Sequence, residues 1–506
     1  MFWMIGSLTG SRRRMLLVAL LVTMLTSAVN QTVVSTAMPR IVADLGGLDL
    51  YSWLAAAYIL TSTVVVPLAG KFSDLRGRRP FFLVGVALFL LGSWASGLAH
   101  TMHWLIAARG VQGLGGGMLM AMNTITVGDL FPPAQRGRWQ GIMMSVFALA
   151  TLLGPTLGGW ITDYWSWRWV FYVSAPFGLL AFVLLFYALP SYRAEEKPRI
   201  NYWSPALLTV TLVGLLLALT FAQQDLSWTT HRVLAGFGAA FLAGVLFFLV
   251  DQRAEEPLLP GWLWRNNIFV VSTATLFLVT LGMFAITLYL PMYLQIVTGV
   301  SATYSGTLLT PMMLSLMVAA VISGQLISRL RHYKILAVMG LAVATLGMYY
   351  LGRLPVSATH GMVVTGMIVA GSGMGMAMPT FTVAVQNTVQ RTHLGTVTAA
   401  SQLFRSIGGV FGSALVGNIV LTDLNHRLAA LMPPGTPAQI DPGQVIGRLM
   451  QAPGDPHLAI LKGMFSLSIT HGFHIGAVLL AGGFVASLFL QDRELRTRWE
   501  EQPALE

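Results

Sequence analysis

Residues 51–99 read YSWLAAAYIL TSTVVVPLAG KFSDLRGRRP FFLVGVALFL LGSWASGLA. Two apolar runs, 51–70 and 80–99, enclose a basic turn, and each run is close to the roughly 20 residues that an α-helix needs to cross a bilayer. The stretch therefore predicts two membrane-spanning helices joined by a tight polar turn. It also makes lipid the expected solvent around most of the chain.

The same kind of apolar run recurs along the whole sequence. Fourteen such runs occur, and none holds an Asp or Glu in its interior. A content of 55% hydrophobic and 10% charged residues is far from the soluble average of roughly 25% charged. The sequence therefore predicts an all-α polytopic membrane protein. The predicted spans are 14–38, 51–70, 80–99, 104–127, 140–163, 169–189, 202–222, 232–250, 268–291, 304–328, 334–352, 360–386, 398–421 and 474–491.

The position of the basic residues decides what the net charge of +11 means. If the N-terminus is cytoplasmic, 21 of the 30 Lys and Arg fall in the N-terminal tail, the even-numbered loops or the C-terminal tail. Membrane proteins show this excess of positive charge on the cytoplasmic side. We therefore expect a multi-pass protein of the plasma or inner membrane with both termini in the cytoplasm. The charge indicates contact with lipid headgroups and no nucleic-acid partner.

Two charged connectors, 190–201 and 251–267, divide the chain. The two runs between them contain almost no polar group, which suits contact with lipid. We expect an N-terminal six-helix bundle over 14–189, a connector with two additional spans over 190–267, and a C-terminal six-helix bundle over 268–491. Basic turns follow the second span of each bundle, so the bundles look duplicated. A duplicated unit is a plan of transporters, with the site near the midplane between the halves.

A long external loop, 422–473, belongs to the C-terminal bundle. Its last part, 457–468, alternates apolar and polar residues at helical spacing. Two interpretations are open for this segment. It forms an interfacial helix on the outer leaflet, or it is an ordered linker that covers the outer mouth.

The turn between the second and third spans combines an acid with several bases around a flexible glycine. An acid in such a turn can pair with a base or with the end of a neighbouring helix, and these contacts can differ between two conformations. We interpret the turn as a conformational latch. Its predicted residues are Gly70, Asp74, Arg76, Gly77, Arg78 and Arg79.

A charged base lies well inside the fourth predicted span. Arg109 at that depth costs roughly 2.5–3.5 kcal/mol on insertion scales, so we expect it to face a cavity or a partner. Gln112 lies three residues on, on the same helical face. The glycines that follow permit close helix contact and do not form a dinucleotide-binding loop.

The fifth predicted span combines a helix-kinking proline with small residues that favour helix packing. We interpret these residues as a packing motif. They are Gly154, Pro155, Gly158 and Gly159.

These three motifs resemble the signature motifs of the major facilitator superfamily, in order and at the right spans. Its fourteen-span drug:proton antiporter branch is matched by further stretches. They are Asn30–Pro39, Trp53 with Tyr58, Trp167–Phe171, and Gly395–Gly412 with Ser401, Arg405, Gly408 and Gly409. The resemblance covers nearly the whole chain. It implies a secondary active transporter that exports lipophilic, cationic drugs by alternating access in exchange for protons.

The chain departs from the family where a proton carrier is expected. The family places a carboxylate in the first span, and this chain has Asn30, which does not titrate. A carboxylate there would be the natural partner of Arg109. One explanation is a deliberate Asp-to-Asn change that mimics the protonated state, and we favour it because the surrounding residues still fit the motif. The other is a natural loss of coupling at this site. Leu75 and Ser174 are two smaller departures.

A pocket for varied lipophilic molecules needs apolar and aromatic walls with few polar anchors. By resemblance and position, we expect Asn30 and Arg109 to carry proton coupling. The expected substrate contacts are Asn30, Trp53, Tyr58, Arg109, Gln112, Tyr293, Gln295, Gln386 and Phe404. Without an acid in the cavity, a preference for cations would rest on aromatic faces.

Two other classes of function stay open. The first is an exporter of lipids or lipid-linked metabolites that uses the external loop against the outer leaflet. The second is a non-transporting scaffold or receptor, against which the charge inside the fourth span argues. We expect no enzyme, because no nucleophile–base pair, metal cluster or phosphate loop stands in the sequence. The expected partners are a small lipophilic substrate, protons and membrane lipids, with no cofactor or metal, and the expected state is a monomer.

Overall fold

The computed structural model describes residues 10–45, 50–190, 203–224, 227–255, 257–300, 305, 307–390, 393–429 and 459–495. Within these ranges the secondary structure consists of helices without strands. The first bundle contains α1 (Gly10–Leu45), α2 (Tyr51–Arg76), α3 (Arg78–Gly97), α4 (Met102–Leu130), α5 (Pro133–Tyr164), the short α6 (Trp169–Tyr172) and α7 (Ser174–Ala188).

The chain continues through two further helices into the second bundle. The central pair is α8 (Trp203–Gln224) and α9 (His231–Asp251), followed by the short α10 (Trp262–Arg265). The second bundle contains α11 (Asn267–Ile296), α12 (Thr310–Leu330), α13 (Lys334–Gly352), α14 (His360–Asn387), α15 (Leu394–Ala429) and α16 (Ala459–Leu488).

Each predicted span coincides with a helix, and the prediction of an all-α membrane fold is confirmed. In the described ranges, 12 helices are long and apolar enough to cross a membrane. The long helices α4 and α5, of 29 and 32 residues, are not among these 12. Their glycines and their polar side chains, such as Arg109 and Gln112, dilute the apolar sequence. The count of fourteen spans therefore stays a prediction.

The two bundles pack their helices in the same order. In the first bundle, α4 packs on α2 and α3, while α1 packs on α5 and α7. In the second bundle, α14 packs on α12 and α13, while α11 packs on α15 and α16. The corresponding helices of each set of six therefore make corresponding contacts. The central pair packs mainly on itself, and α8 also contacts α2 and α15.

The end of the long loop differs from both interpretations of segment 457–468. Residues from Ala459 onward are the first turns of α16, which runs without a break to Leu488. Phe465 and Ile469 are fully buried in the core of the second bundle. The helical spacing continues into the apolar run that follows, so the segment packs as a helix of the bundle. Residues 430–458 of the loop lie outside the described ranges.

Both ends of the described chain lie on one face of the molecule, here named the terminal face. The Leu495 amide donates to the Arg331 carbonyl oxygen at 2.8 Å, beside the end of α12. The Arg13 guanidinium lies 4.7 Å from the ring centre of Phe131, between α4 and α5. The terminal face thus collects the chain ends and the turns after α2, α4 and α12.

Small residues bring the two bundles together near the terminal face, and this contact is here named the seam. It is formed by α5 against α12 and by α2 against α15. A Cβ added at Gly141 of α5 would lie 2.9 Å from the Ala320 carbonyl oxygen of α12. A Cβ added at Gly70 of α2 would lie 2.9 Å from the Gly395 carbonyl oxygen. Glycine therefore permits backbone contact between the bundles at both places.

An exposed carboxylate fixes the opposite end of the first bundle. Asp44, beyond the apolar part of α1, accepts hydrogen bonds from Trp167 Nε1 at 2.9 Å and Arg168 Nη1 at 3.0 Å. The hydrogen bond from Trp167, followed by that from Arg168, lowers the pKa of Asp44. The aromatic and basic residues of the Trp167–Phe171 stretch thus tie the turn before α6 to the end of α1.

We expect Gly92→Leu to lower the melting temperature of the purified protein. A Cβ at Gly92 of α3 would lie 2.5 Å from the Cα atom of Gln112 on α4, and overpacking of this kind costs about 1–3 kcal/mol. The matched control is Gly238→Leu in α9, where an added Cβ meets no atom within 4 Å. Equal melting temperatures for the two variants would contradict this packing of α3 on α4.

Candidate functional site

A buried polar cluster joins α1, α2 and α4 inside the first bundle. Arg109 Nη1 donates to Asn30 Oδ1 at 3.0 Å and to Gln112 Oε1 at 2.6 Å. The guanidinium carbon of Arg109 lies 4.5 Å from the ring centre of Tyr58, which gives a cation–π contact. All four side chains are buried, with relative exposures of 4% or less. Four of the predicted site residues therefore stand together.

The cluster continues through hydroxyl groups into α3 and α7. Gln112 Nε2 donates to Ser93 Oγ, and Ser93 Oγ lies 3.3 Å from Ser174 Oγ. Ser174, which departs from the family pattern, thus ends a chain of polar contacts that begins at Asn30. Two buried donors of the cluster, Asn30 Nδ2 and Arg109 Nε, have no hydrogen-bond partner among the described residues. The guanidinium is held by neutral groups and by an aromatic ring, without a carboxylate in these contacts.

A cavity lies beside this cluster and takes its walls from both bundles. Its lining is Met24, Ser27, Ala28, Tyr58, Met120, Asn123, Thr124, Gln140, Met143, Met144, Phe147, Thr382, Gln402 and Arg405. The first eleven belong to the first bundle and the last three to α14 and α15. Tyr58 belongs to both the cluster and the lining, so the cavity and the Arg109 contacts are continuous.

The lining combines a soft apolar wall with a few polar groups. Four methionines and Phe147 supply the apolar surface, and methionine adapts to irregular shapes because its side chain is unbranched and flexible. Asn123, Gln140 and Gln402 supply amides, and Arg405 supplies a charge. Such a wall suits a lipophilic molecule with a small number of polar groups.

Several predicted contact residues lie elsewhere. The Trp53 ring packs edge-on against Phe221 of α8, with ring centres 5.9 Å apart, and Phe404 packs in the same way on Trp264 at 5.8 Å. These side chains are therefore packed aromatic residues outside the described cavity lining. Aromatic character alone does not tell which face of a helix meets the cavity.

The remaining predicted contacts are hydrogen-bonded within the second bundle. Tyr293 is fully buried and donates to the Pro355 carbonyl oxygen at 2.9 Å, while Gln295 Nε2 donates to Ser305 Oγ at 2.9 Å. Gln386 Nε2 donates to Thr398 Oγ1 at 3.1 Å, near the terminal face. None of the three residues lines the cavity described above.

A network of buried charges lies on the terminal face around Arg78. Its guanidinium pairs with Asp74 and with Asp129, the latter through Nε at 2.9 Å from Oδ2, and it also donates to Ser73 Oγ at 2.6 Å. Arg78 and Asp129 are almost completely buried. The network ties the turn between α2 and α3 to the end of α4.

The same network crosses the seam to the second bundle. Asp74 Oδ2 accepts hydrogen bonds from the backbone N–H of Thr396 at 2.8 Å and from its hydroxyl at 3.0 Å. Thr396 lies in the first turn of α15, where the helix dipole favours a negative charge. A carboxylate of one bundle therefore binds a helix N-terminus of the other.

The other predicted latch residues differ in their roles. Gly77 has a φ angle of 90°, which favours glycine and lets its N–H donate to the Ser73 carbonyl oxygen at 3.0 Å. Arg79 lies over the Phe186 ring at 4.7 Å. Arg76 is exposed, and the described structure does not bring it into the Asp74 network.

A second contact across the seam involves Arg136, which in the sequence was only one of the basic residues that indicate the membrane orientation. Arg136 is fully buried near the start of α5. Its Nη1 donates to the Gln386 carbonyl oxygen of α14 at 3.0 Å. Its Nε and Nη2 donate to the carbonyl oxygens of Phe131 at 3.0 Å and Gly128 at 2.9 Å. Arg136 therefore joins the ends of α4 and α14.

The predicted packing motif of the fifth span is only partly used for packing. A side chain at Gly154 would collide with Thr32 of α1, and Gly158 is buried. A Cβ added at Gly159 would meet no atom within 4 Å. Gly159 is thus not a point of close helix contact, because it lies on a more open part of α5. The side chain of Pro155 lies outside the described part of the structure.

Most residues of the cavity lining were not predicted from the sequence. Ser27, Asn123, Gln140 and Gln402 carry uncharged polar groups, which are frequent in helices and gave no separate signal. Arg405 did give one, because it is the second basic residue within a predicted span. Among the described residues, no group of three or more His, Cys, Asp or Glu could hold a metal ion.

The comparisons with known proteins agree on one family. The model of the Major Facilitator Superfamily matches residues 20–413. The chain is 36% identical over 518 residues to the Multidrug transporter protein MdtP of Bacillus subtilis (strain 168), covering 97% of this chain and 95% of that protein. It is 31% identical over 502 residues to Multidrug resistance protein 3 of the same strain, with 96% and 97% covered.

A solved structure supports the fold. The proton:xylose symporter XylE superposes with a TM-score of 0.62 at 14% identity, covering 96% of this chain and 97% of that one. At this identity the likeness concerns the fold alone.

We expect Arg136→Gln to open the terminal face. The change removes a charged donor from three buried carbonyl oxygens, and a hydrogen bond to a charged group contributes about 1.5–3 kcal/mol. Since the chain has no cysteine, spin labels can be placed at Gln135→Cys and Arg329→Cys, on opposite sides of the seam. Electron–electron double resonance then measures the distance between α5 and α12, and we expect a larger population of long distances.

The control for this measurement is Arg138→Gln, which removes an exposed arginine two residues along the same helix. It should leave the distance distribution unchanged. Identical distributions for Arg136→Gln and Arg138→Gln would show that the Arg136 contacts do not hold the seam closed.

Proposed function

The chain belongs to the major facilitator superfamily, and from this premise we propose that it exports lipophilic drugs across the membrane by alternating access. Two of its relatives are named as multidrug proteins and are matched over 95% or more of their length. The described contacts suggest how two six-helix bundles would move against each other. The cavity between them would then face one side of the membrane at a time.

The observation that carries this proposal is the position of the cavity. Its walls come from α1, α2, α4 and α5 of one bundle and from α14 and α15 of the other. Arg405 stands nine residues after Thr396, which is about 14 Å along α15 at the rise of an α-helix. This distance is roughly half of a hydrocarbon core of about 30 Å. A cavity at this depth between two similar bundles is where transporters of this plan bind their substrates.

The seam supplies the contacts that such a movement must break. Asp74 with Thr396 and Arg136 with Gln386 are charged hydrogen bonds across the seam. Each such bond contributes about 1.5–3 kcal/mol, which a conformational equilibrium of a few kcal/mol can accommodate. We propose that these contacts exist in one conformation and separate in the other. The latch role of Asp74 and Arg78 belongs to this proposal.

Proton coupling in the proposal centres on residue 30. An aspartate at this position would replace the amide oxygen that lies 3.0 Å from Arg109 Nη1 with a carboxylate. That carboxylate would form an ion pair with Arg109 when ionised and would keep only a hydrogen bond to it, without the charge attraction, when protonated. Asn30 resembles the protonated form, because it accepts a hydrogen bond without carrying a charge. We propose that this chain occupies the protonated-like state and couples poorly to a proton gradient.

The distribution of basic residues supports one orientation in the membrane. We propose that the terminal face is cytoplasmic in a cell membrane, because 21 of the 30 Lys and Arg then lie on that side. With the seam contacts formed, the cavity would be closed to the cytoplasm. A drug would enter it only after the Asp74 and Arg136 contacts separate.

The alternative of lipid export stays a prediction. An interfacial helix on the outer leaflet was one of the two interpretations of segment 457–468. From Ala459 onward the segment packs as part of α16, and this removes one reason for that alternative. The scaffold alternative gains no support from a cavity with walls from both bundles. A preference for cations stays a prediction as well, since the described lining contains no carboxylate.

We expect Asn30→Asp to give proton-driven drug transport. The assay loads a lipophilic fluorescent drug into inverted vesicles under an imposed pH gradient. A gradient of one pH unit supplies about 1.4 kcal/mol per proton, so one coupled proton supports about tenfold accumulation. The unmodified chain should equilibrate the drug with little dependence on the gradient.

The matched control is Asn418→Asp, which creates an acid from another buried asparagine, on α15 of the second bundle. It should leave the pH dependence of transport unchanged. If Asn30→Asp and the unmodified chain respond equally to the gradient, coupling does not occur at residue 30. If neither moves any drug, the proposed export is wrong.

A further inference from the structure

The cavity has an unusual balance of charge. Among the fourteen lining residues that the structure describes, Arg405 carries a positive charge and none is an Asp or Glu. Within the described residues, the Arg405 guanidinium has no hydrogen bond and no ion pair. Buried or membrane-embedded arginines usually pair with an acid, a carbonyl group or a bound ligand. This arginine instead faces a space that a molecule can enter.

Other donors in and beside the cavity also lack acceptors. Gln140 is 6% exposed, lines the cavity, and its Nε2 has no hydrogen-bond partner among the described atoms. Asn30 Nδ2, next to the Arg109 guanidinium, is another buried donor with no partner in the described part of the chain. Buried donors without acceptors destabilise a protein unless a ligand or water accepts from them. These donors, which have no described acceptor, favour a ligand that carries hydrogen-bond acceptors.

Arg109 adds positive charge close to the same wall. It is held by the oxygens of Asn30 and Gln112, both neutral, and its charge is covered by the Tyr58 ring. Tyr58 itself lines the cavity. The potential in the cavity is therefore set by two guanidinium groups, with no described carboxylate in the lining to offset them. A cation entering this space would be repelled, and an anion would be attracted.

The apolar wall determines what the rest of the ligand must be. The apolar part of the lining suits a broad hydrophobic body, and it consists of Met24, Met120, Met143, Met144 and Phe147. A small inorganic anion would leave these side chains without contacts. A molecule with one acidic group on an apolar ring system would satisfy both parts of the wall.

We propose that this cavity binds lipophilic organic anions, such as aromatic carboxylates or sulfonates, through Arg405. The acidic group accepts from the Arg405 guanidinium and from the Gln140 amide, and the apolar body lies on the methionines. This inference rests on the proposed function for its physiological meaning, since it names the substrate class of the same cavity. It runs against the cation preference expected from the sequence.

Equilibrium binding to the purified full-length chain tests the inference without requiring transport. Two dyes with the same xanthene ring system serve as probes: fluorescein, which is anionic at neutral pH, and rhodamine 123, which is cationic. Fluorescence anisotropy in nanodiscs of phosphatidylcholine gives the two dissociation constants. We expect fluorescein to bind more tightly, and we expect Arg405→Gln to weaken it at least about tenfold. Rhodamine 123 binding should stay equal or become tighter in that variant.

Two further variants separate charge from structure. Arg405→Lys keeps the positive charge and should retain more of the fluorescein affinity than Arg405→Gln. Arg353→Gln removes an exposed arginine that lies over Tyr349, and it should leave both dissociation constants unchanged. Equal melting temperatures of the variants show that the changes in affinity are not losses of fold.

An acidic phospholipid headgroup carries the same anionic chemistry as a free organic acid. Repeating the titration with phosphatidylglycerol in the nanodiscs distinguishes the two sources. Displacement of fluorescein would identify a lipid headgroup as the anion that Arg405 binds. Unchanged fluorescein affinity would identify a free organic acid.

The outcomes separate this inference from the proposed function. Fluorescein binding that Arg405→Gln does not weaken, or no fluorescein binding at all, overturns the inference. If rhodamine 123 alone is bound and exported, the inference fails and drug export stands. If fluorescein binds through Arg405 and neither dye is exported from vesicles, the inference stands and the proposed export fails.

Discussion

A guanidinium group in hydrocarbon needs hydrogen-bond acceptors, and Arg109 finds them on Asn30 and Gln112. This requirement brings α1 and α4 together and places the Tyr58 ring of α2 over the charge. The contacts continue through Gln112 to Ser93 and Ser174, so a single buried charge organises five helices of the first bundle. The cavity lies against this cluster because Tyr58 belongs to both.

The two bundles are held together by a different kind of contact. Glycines allow the backbones of α5 and α12 and of α2 and α15 to touch near the terminal face. Buried charges then bind backbone groups across the seam, with Asp74 at the start of α15 and Arg136 at the end of α14. Such contacts are specific in direction, and a separation of the helices would break them together. They suit a boundary that closes and opens as a unit.

The fold could be predicted from the sequence more completely than the candidate site. The lengths of the apolar runs predict the positions of the helices well, because each span in lipid must form its backbone hydrogen bonds internally. The Arg109 cluster was also predicted, through a charge within a span and a family motif. The cavity lining was not, because whether Gln140 or Trp53 meets the cavity depends on which helix faces are covered by neighbours. That information lies in tertiary packing, as the place of Trp53 on Phe221 shows.

Two further differences between the expectations from the sequence and the structure have physical causes. In the sequence, Arg136 was one of many basic residues that indicate the membrane orientation. Only the fold shows that it is buried against three carbonyl groups. Segment 457–468 alternates apolar and polar residues, which left an interfacial helix and an ordered linker as its two interpretations. It packs as a helix in the core, because its polar residues have hydrogen-bond partners there. Ser468 Oγ, for example, donates to Asp423 Oδ2 at 2.7 Å. Local composition does not reveal these partners.

In the proposed transport cycle, the cavity between the two bundles opens to each side of the membrane in turn. The chain has no cysteine, so Gln402→Cys places a single thiol in the cavity wall. A membrane-impermeant maleimide is applied to right-side-out and to inverted vesicles, and the labelling rates are compared. Alternating access predicts labelling from both sides, with Arg136→Gln increasing the rate from the terminal face. Labelling that occurs from one side only, in both the unmodified background and the Arg136→Gln variant, would contradict it.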